Sequence, residues 1–181
     1  YAMFNGASSF NQPISYINTS LLGELIQAWN TSNVTNMEST FRKAIVFNQN
    51  INNWDTSNVN IMKRTFDSAE VFNSPLDNWD ISTTTNVEKM FQNAIAFNQE
   101  IRNWDTSTIP VQTNTLGQIS SDENFALMFN GATAFLAKYG VDGSLGIANN
   151  KWYNYNEGTP NPLTTTILGT IYQGNFFSYG Y

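Results

Sequence analysis

The chain has 181 residues, of which 41% are hydrophobic, 14% aromatic and 12% charged, and its formal net charge is −6. It contains no cysteine and no histidine, which excludes a disulfide framework, a thiolate–imidazole zinc site and a serine–histidine or cysteine–histidine nucleophile pair. Only 8 lysines and arginines stand against 14 acidic residues, and no apolar run is long enough to span a bilayer, so we expect neither a nucleic-acid partner nor membrane insertion.

A repeat of 25 residues organises the sequence, and four columns of residues keep that step. The columns are Trp29, Trp54, Trp79 and Trp104; Phe41, Phe66 and Phe91; Ala44, Ala69 and Ala94; and Phe47, Phe72 and Phe97. The register continues back to Phe4, Ala7 and Phe10 and forward to Phe129, Ala132 and Phe135 if two insertions are allowed. Such periods are typical of repeat architectures, in which each unit buries its apolar face against its neighbours.

Each repeat predicts a short helix followed by a short strand. Val34, Met37, Phe41 and Ala44 follow one another at steps of 3, 4 and 3, which places them on one helical stripe. The asparagine-rich stretch after Phe47 has no helical period, and it predicts a turn and then a strand near residues 51–54. The expected fold is an α/β solenoid.

The repeat is interrupted twice and then ends. We predict a repeat solenoid over residues 1–135, with insertions at about 16–28 and 110–124, and an irregular C-terminal cap or interface segment over residues 136–181. The first residues, Tyr1 to Phe4, begin inside a repeat, as in an excised or processed segment. Candidate interface residues in the aromatic tail are Trp152, Tyr153, Tyr155, Tyr172, Phe176, Phe177, Tyr179 and Tyr181.

An asparagine column follows the second phenylalanine of each repeat. Its members are Asn11, Asn48, Asn73 and Asn98. A repeated asparagine at a turn can bond backbone groups of its own and the next repeat, so we interpret this column as a structural ladder. A ligand-binding row of asparagines is the alternative.

The tryptophan and aspartate columns also allow functional interpretations. We expect the four tryptophans to pack in the core, the alternative being a sugar-stacking platform. Asp55, Asp80 and Asp105 could form a Ca²⁺ site or a glycosidase carboxylate pair. We prefer a capping role for them at the following helix start, because catalytic residues are singular and break a repeat.

Whole phrases of the sequence carry a family resemblance. They are FNQ at residues 47–49, NWDTSNV at 53–59, NVTNM at 33–37 and MFNGASSFNQPI at 3–14. These phrases closely resemble the BspA-type leucine-rich-repeat surface proteins and, more narrowly, the branch first described from mycoplasma-type lipoproteins. The resemblance covers roughly residues 1–135 without the insertions. It implies a leucine-rich-repeat-like right-handed coil that is secreted or surface-displayed and acts in adhesion or binding without catalytic residues.

These patterns lead to two functional hypotheses. The first is a non-enzymatic extracellular or cell-surface module that binds a protein or glycan ligand, with no catalytic residue, no cofactor and no metal. The second is a structural subunit of a virion, fibre or surface sheath that assembles with neighbouring subunits through its ends and its aromatic tail. Similar repeats in large-virus proteins motivate the second.

Overall fold

The computed structural model describes residues 2–14, 29–101, 103–110, 124 and 127–139. Within these ranges it contains one helix, α1, at Thr133–Tyr139. Strand-like pairing in the same ranges is limited to two isolated parallel bridges, Asn36↔Ile61 and Ile61↔Asn86, and no sheet forms. The predicted α/β solenoid, with one short helix and one short strand in each leucine-rich-repeat-like coil, is therefore wrong.

The residues predicted to form a helix instead form a series of tight turns. Ser39 and Lys43 have left-handed backbones, both with φ of 57°, whereas every residue of an α-helix needs φ near −60°. The N–H of Thr40 donates to the carbonyl of Met37 at 3.1 Å, three residues back, and Ala44 repeats this with Phe41 at 3.0 Å. Apolar steps of 3, 4 and 3 fit such turns as well as they fit a helix, which is why the pattern misled the prediction.

The predicted strand near residues 51–54 is also a turn. The N–H of Trp54 donates to the carbonyl of Ile51 at 3.1 Å, and Oδ1 of Asn50 accepts the N–H of Asn52 at 2.9 Å. Short polar side chains that bond their own backbone favour turns over an extended ladder. Each repeat is thus built almost wholly from turns.

Successive repeats lie side by side through backbone hydrogen bonds between their turns. The N–H groups of Met37, Ser39, Phe41 and Lys43 donate to the carbonyls of Ile61, Lys63, Thr65 and Asp67 at 2.8–2.9 Å. Met62, Arg64, Phe66 and Ser68 then donate in the same way to Asn86, Glu88, Met90 and Gln92 at 2.7–2.9 Å. We call this set of bonds the turn ladder. It satisfies alternate N–H groups, and the intervening ones close the turns within a repeat.

Two columns of stacked phenylalanine rings run through the core. Ring centroids in the column from Phe4 through Phe66 to Phe129 are 5.4–5.6 Å apart. Those in the column from Phe10 through Phe72 to Phe135 are 5.7–6.2 Å apart. Within a repeat the two rings stack at 3.9–4.3 Å. The phenylalanines proposed for the core are all fully buried: Phe41, Phe47, Phe66, Phe72, Phe91, Phe97, Phe129 and Phe135.

Part of the predicted domain organisation falls outside the described ranges. The insertion at 16–28, residues 111–123 of the second insertion and the tail from residue 140 onward are not among them. Helix α1 begins in the last repeat and continues past residue 135. No helix in the ranges that the structure describes combines the length and the apolar character needed to cross a membrane.

Two glycines occupy equivalent left-handed positions and form a matched pair for mutation. Gly6 has φ of 73° with open space where a Cβ would lie, whereas a Cβ on Gly131, at φ of 75°, would come within 2.3 Å of Oδ1 of Asn93. Gly6→Ala should cost about 1 kcal/mol of unfolding free energy from backbone strain alone. Gly131→Ala should cost about 2 kcal/mol, because the Asn93 side chain must also move. Urea unfolding of both variants checks this, and equal losses would contradict the contact with Asn93.

Candidate binding site at the first tryptophan

The tryptophan column is buried except at its first member. Trp54, Trp79 and Trp104 are 2–6% exposed. Nε1 of Trp79 donates to the carbonyl of Ile51 at 3.0 Å, and Nε1 of Trp104 donates to that of Leu76 at 3.1 Å. Each indole therefore packs on the preceding repeat and fills a buried backbone acceptor there.

Trp29 lies at the end of this column and departs from its pattern. It stacks on Phe4 at 5.4 Å and on Trp54 at 6.4 Å. Nevertheless it is 46% exposed, and its indole N–H has no acceptor among the described residues. Its exposure has a plain cause, since no preceding repeat in the described ranges covers it. The interpretation of all four tryptophans as core residues does not extend to Trp29.

An apolar recess of about 80 Å³ opens beside Trp29. Its walls include Met3, Trp29, Val34, Met37 and Trp54. Met3 is 65% exposed. Met3 and Trp29 therefore place two large apolar side chains in solvent at the opening of the recess. Thr31, Asn36 and Thr40 add the polar groups of the lining. The recess is much smaller than a typical small-molecule pocket, so it offers room for no more than one apolar side chain.

The asparagine column forms hydrogen bonds from repeat to repeat. Oδ1 of Asn11, Asn48 and Asn73 accepts the N–H of Asn48, Asn73 and Asn98, respectively, at 2.8–3.0 Å. Beyond Asn98, Leu136 takes the asparagine position, and Nζ of Lys138 in α1 donates to the carbonyl of Asn98 at 2.7 Å. These side chains bond the protein's own backbone, which is what a structural ladder requires.

The aspartate column closes turns and caps no helix. Oδ1 of Asp55 accepts the N–H of Ser57 at 3.1 Å and its Oγ at 2.6 Å. These hydrogen bonds hold the pKa of Asp55 below its ordinary value. Asp80 and Asp105 accept the N–H two residues ahead in the same way. In the ranges that the structure describes, no group of three or more acidic residues is placed to hold a metal ion.

Charged side chains pair across the turn ladder. Nε of Arg42 donates to Oδ2 of Asp67 at 2.9 Å. Glu88 lies between Lys63 and Lys89 and pairs with both, Lys89 at 2.9 Å. Two of these pairs, Arg42 with Asp67 and Lys63 with Glu88, join different repeats, whereas Lys89 and Glu88 are neighbours in one repeat.

Glu88 predicts a loss of stability in acid. Burial raises the pKa of Glu88, but hydrogen bonds and charge attraction from Lys63 and Lys89 outweigh it, so the pKa lies below its ordinary value. A lowered folded-state pKa gives stability that is present above the unfolded pKa of about 4.3 and is lost as pH falls through the folded value. Urea midpoints of wild type and Glu88→Gln should therefore differ most at pH 7, and the difference should shrink as pH falls below about 4.3. Glu70→Gln, at an exposed carboxylate, is the control. A difference that does not change with pH would contradict the ion pairs.

Sequence reasoning missed two surface features. The sequence did not predict Met3 as a binding residue. Its exposure follows only from its position on the first described turn. Ile45, Val46, Val71 and Ile95 are exposed aliphatic residues between the buried alanine and the second phenylalanine of their repeats. A signal for them was present, because apolar residues at these positions do not fit either buried column. The tail residues proposed as an interface, Trp152 to Tyr181, lie outside the described ranges.

The fold and the site define a repeat protein built from turns, with an apolar recess where the described stack begins. A model of the family described as "Mycoplasma protein of unknown function, DUF285" matches residues 1–27 and 21–140. The chain belongs to this family, and the mycoplasma part of the resemblance is confirmed at that level. No curated protein and no solved structure matches the chain.

Proposed function

We propose that this chain is a non-enzymatic binding module, displayed on a cell surface, that takes an apolar side chain of a protein ligand into the recess beside Met3 and Trp29. One observation carries the proposal. Trp29 is the member of an otherwise buried tryptophan column that is exposed, and it borders an apolar recess. Aromatic and methionine side chains in such positions are the residues enriched at protein interfaces.

Two lines of reasoning support surface display. The resemblance to BspA-type surface proteins implies it, and the low share of charged residues suits an extracellular surface rich in asparagine, threonine and serine. A glycan ligand is the competing interpretation, since sugars stack on tryptophan. The predominantly apolar lining of the recess favours a protein side chain over a hydroxyl-rich sugar.

The proposal is tested by binding of the immobilised chain to a panel of extracellular matrix proteins and to a glycan array. We expect binding to a protein that Trp29→Ser weakens about tenfold, the effect of losing one buried aromatic contact. Val71→Ser is the matched control, because Val71 is 44% exposed against 46% for Trp29 and is absent from the lining of the recess. Protein binding unaffected by Trp29→Ser, or binding to glycans alone, would contradict the proposal.

A further inference from the structure

The sequence contains the same five residues twice, MFNGA at residues 3–7 and again at residues 128–132. They hold its two Asn-Gly pairs, Asn5-Gly6 and Asn130-Gly131. Both copies fold into the same turn. Gly6 and Gly131 have φ of 73° and 75°, and in each copy the alanine N–H donates to the phenylalanine carbonyl at 3.0 Å. The two pairs are therefore matched in sequence and in local conformation, and they differ in their place in the stack.

The turn ladder holds the two Asn-Gly peptide bonds through opposite atoms. In the first described repeat, the N–H of Gly6 donates to the carbonyl of Arg42 at 2.8 Å. In the last described repeat, the carbonyl of Asn130 accepts the N–H of Asn93 at 2.7 Å, whereas the N–H of Gly131 has no acceptor among the residues that the structure describes. The difference follows from the direction of the ladder, since its donors belong to the earlier repeat and its acceptors to the later one.

A free glycine N–H after an asparagine is chemically reactive. Once a solvent base removes the amide proton, the nitrogen attacks Cγ of the asparagine side chain. A bond from that nitrogen to Cγ forms, the bond from Cγ to the side-chain nitrogen breaks, and the side-chain nitrogen takes up a proton and leaves as ammonia. Water then opens the cyclic imide at either carbonyl, which gives aspartate or isoaspartate. An N–H that donates a hydrogen bond resists the first step, because that bond must open before base reaches the proton.

We propose that Asn130 is a site of spontaneous deamidation in the folded protein, whereas the ladder bond of Gly6 protects Asn5. Asn5 is exposed and Asn130 is half-buried, so exposure alone would favour reaction at Asn5. The hydrogen bond reverses this order, because half-burial still admits water and hydroxide, whereas a paired N–H reacts only while its bond is open. One hydrogen bond of ordinary net strength slows the reaction about fivefold.

The reaction at Asn130 changes the last described junction of the stack. In the isoaspartyl product the main chain runs through Cβ and Cγ, so the carbonyl that accepts the N–H of Asn93 becomes part of a free carboxylate. The added methylene also displaces Gly131, which lies so close to Asn93 that a Cβ on it would come within 2.3 Å of Oδ1. Deamidation therefore loosens this junction. The site lies at the other end of the described stack from the recess, so the inference is independent of the proposed function.

Incubation of the full chain in mildly alkaline buffer tests the site, with deamidation of each peptide followed by proteolysis and mass spectrometry. We expect Asn130 to convert about fivefold faster than Asn5 in the folded chain. In urea the two should convert at equal rates, because the five residues around them are identical. Equal rates in the folded chain, or faster conversion of Asn5, would overturn the inference. A fivefold difference that persists in urea would overturn it too, since the ladder would not be its cause.

Two variants test the effect on the junction. Asn130→Gln removes the fast reaction, because a glutamine would have to close a larger ring, and Asn5→Gln is the matched control. Urea midpoints of wild type and Asn5→Gln should fall together as the samples age in the same buffer, and that of Asn130→Gln should stay constant. An unchanged wild-type midpoint, or an equal fall in Asn130→Gln, would show that deamidation at Asn130 does not loosen the stack.

Discussion

Phe66→Ala should lower the free energy of unfolding by about 3–5 kcal/mol. The Phe66 side chain is fully buried, and its ring stacks on Phe72 at 4.1 Å and on Phe41 and Phe91 at 5.5 Å each. The substitution opens a cavity at the centre of the stack, which the surrounding rings can close only in part. Equilibrium urea unfolding measured by tryptophan fluorescence gives the difference.

Val71→Ala is the control for this substitution. Val71 lies five residues from Phe66 in the same repeat but is exposed, so its truncation should change stability by no more than about 0.5 kcal/mol. A comparable loss in both variants would mean that the phenylalanine stack is not the main source of stability in that repeat.

Trp79→Phe should cost about 2–3 kcal/mol. The substitution removes part of a buried indole, and it leaves the carbonyl of Ile51 without the donor that lies 3.0 Å from it. Trp29→Phe is the matched control, because Trp29 is half exposed and its N–H has no acceptor among the described residues. We expect a change below about 0.5 kcal/mol for it in the same urea experiment. Equal effects at the two positions would contradict the distinction between the end and the interior of the column.

The repeat itself could be predicted from the sequence, because aromatic residues are rare enough for a fixed step of 25 to be visible in one chain. Phe41 and Phe66 share a column in the sequence, and their rings stack in the structure. Asn48 and Asn73 share another, and they are joined by a hydrogen bond of 2.8 Å. A period identifies equivalent residues even when the local conformation is unknown.

The conformation within the repeat could not be predicted in the same way. Binary patterns distinguish a period of 3.6 from a period of 2, but a series of turns produces apolar steps of 3 and 4 as a helix does. A series of turns differs from a helix in the left-handed backbone at Ser39 and Lys43. Neither serine nor lysine indicates such a backbone in a sequence. In other copies the same two positions hold Arg64 and Ser68, or Lys89 and Asn93. Gly6, Gly131 and Asn93 give a recognisable sign, because glycine and asparagine adopt the left-handed region more readily than other residues.

The candidate site could not be predicted from the sequence, because the repeat is regular at that position. Trp29 has the same sequence environment as the buried tryptophans, so its column predicts burial. Its exposure depends on what lies before it in space, which a repeat pattern does not contain. Met3 illustrates the same limit, since a methionine on a turn is exposed or buried according to the presence of a neighbouring repeat.

The direction of the hydrogen bonds in the turn ladder also determines how the molecule would respond to mechanical load. Its hydrogen bonds lie along the direction in which the repeats follow one another. Tension in that direction loads the junctions in series, so the weakest junction opens first and the others remain closed. Tension across the stack loads the bonds of several junctions together. A tether that pulls from the side would therefore sustain more force than one that pulls from the ends.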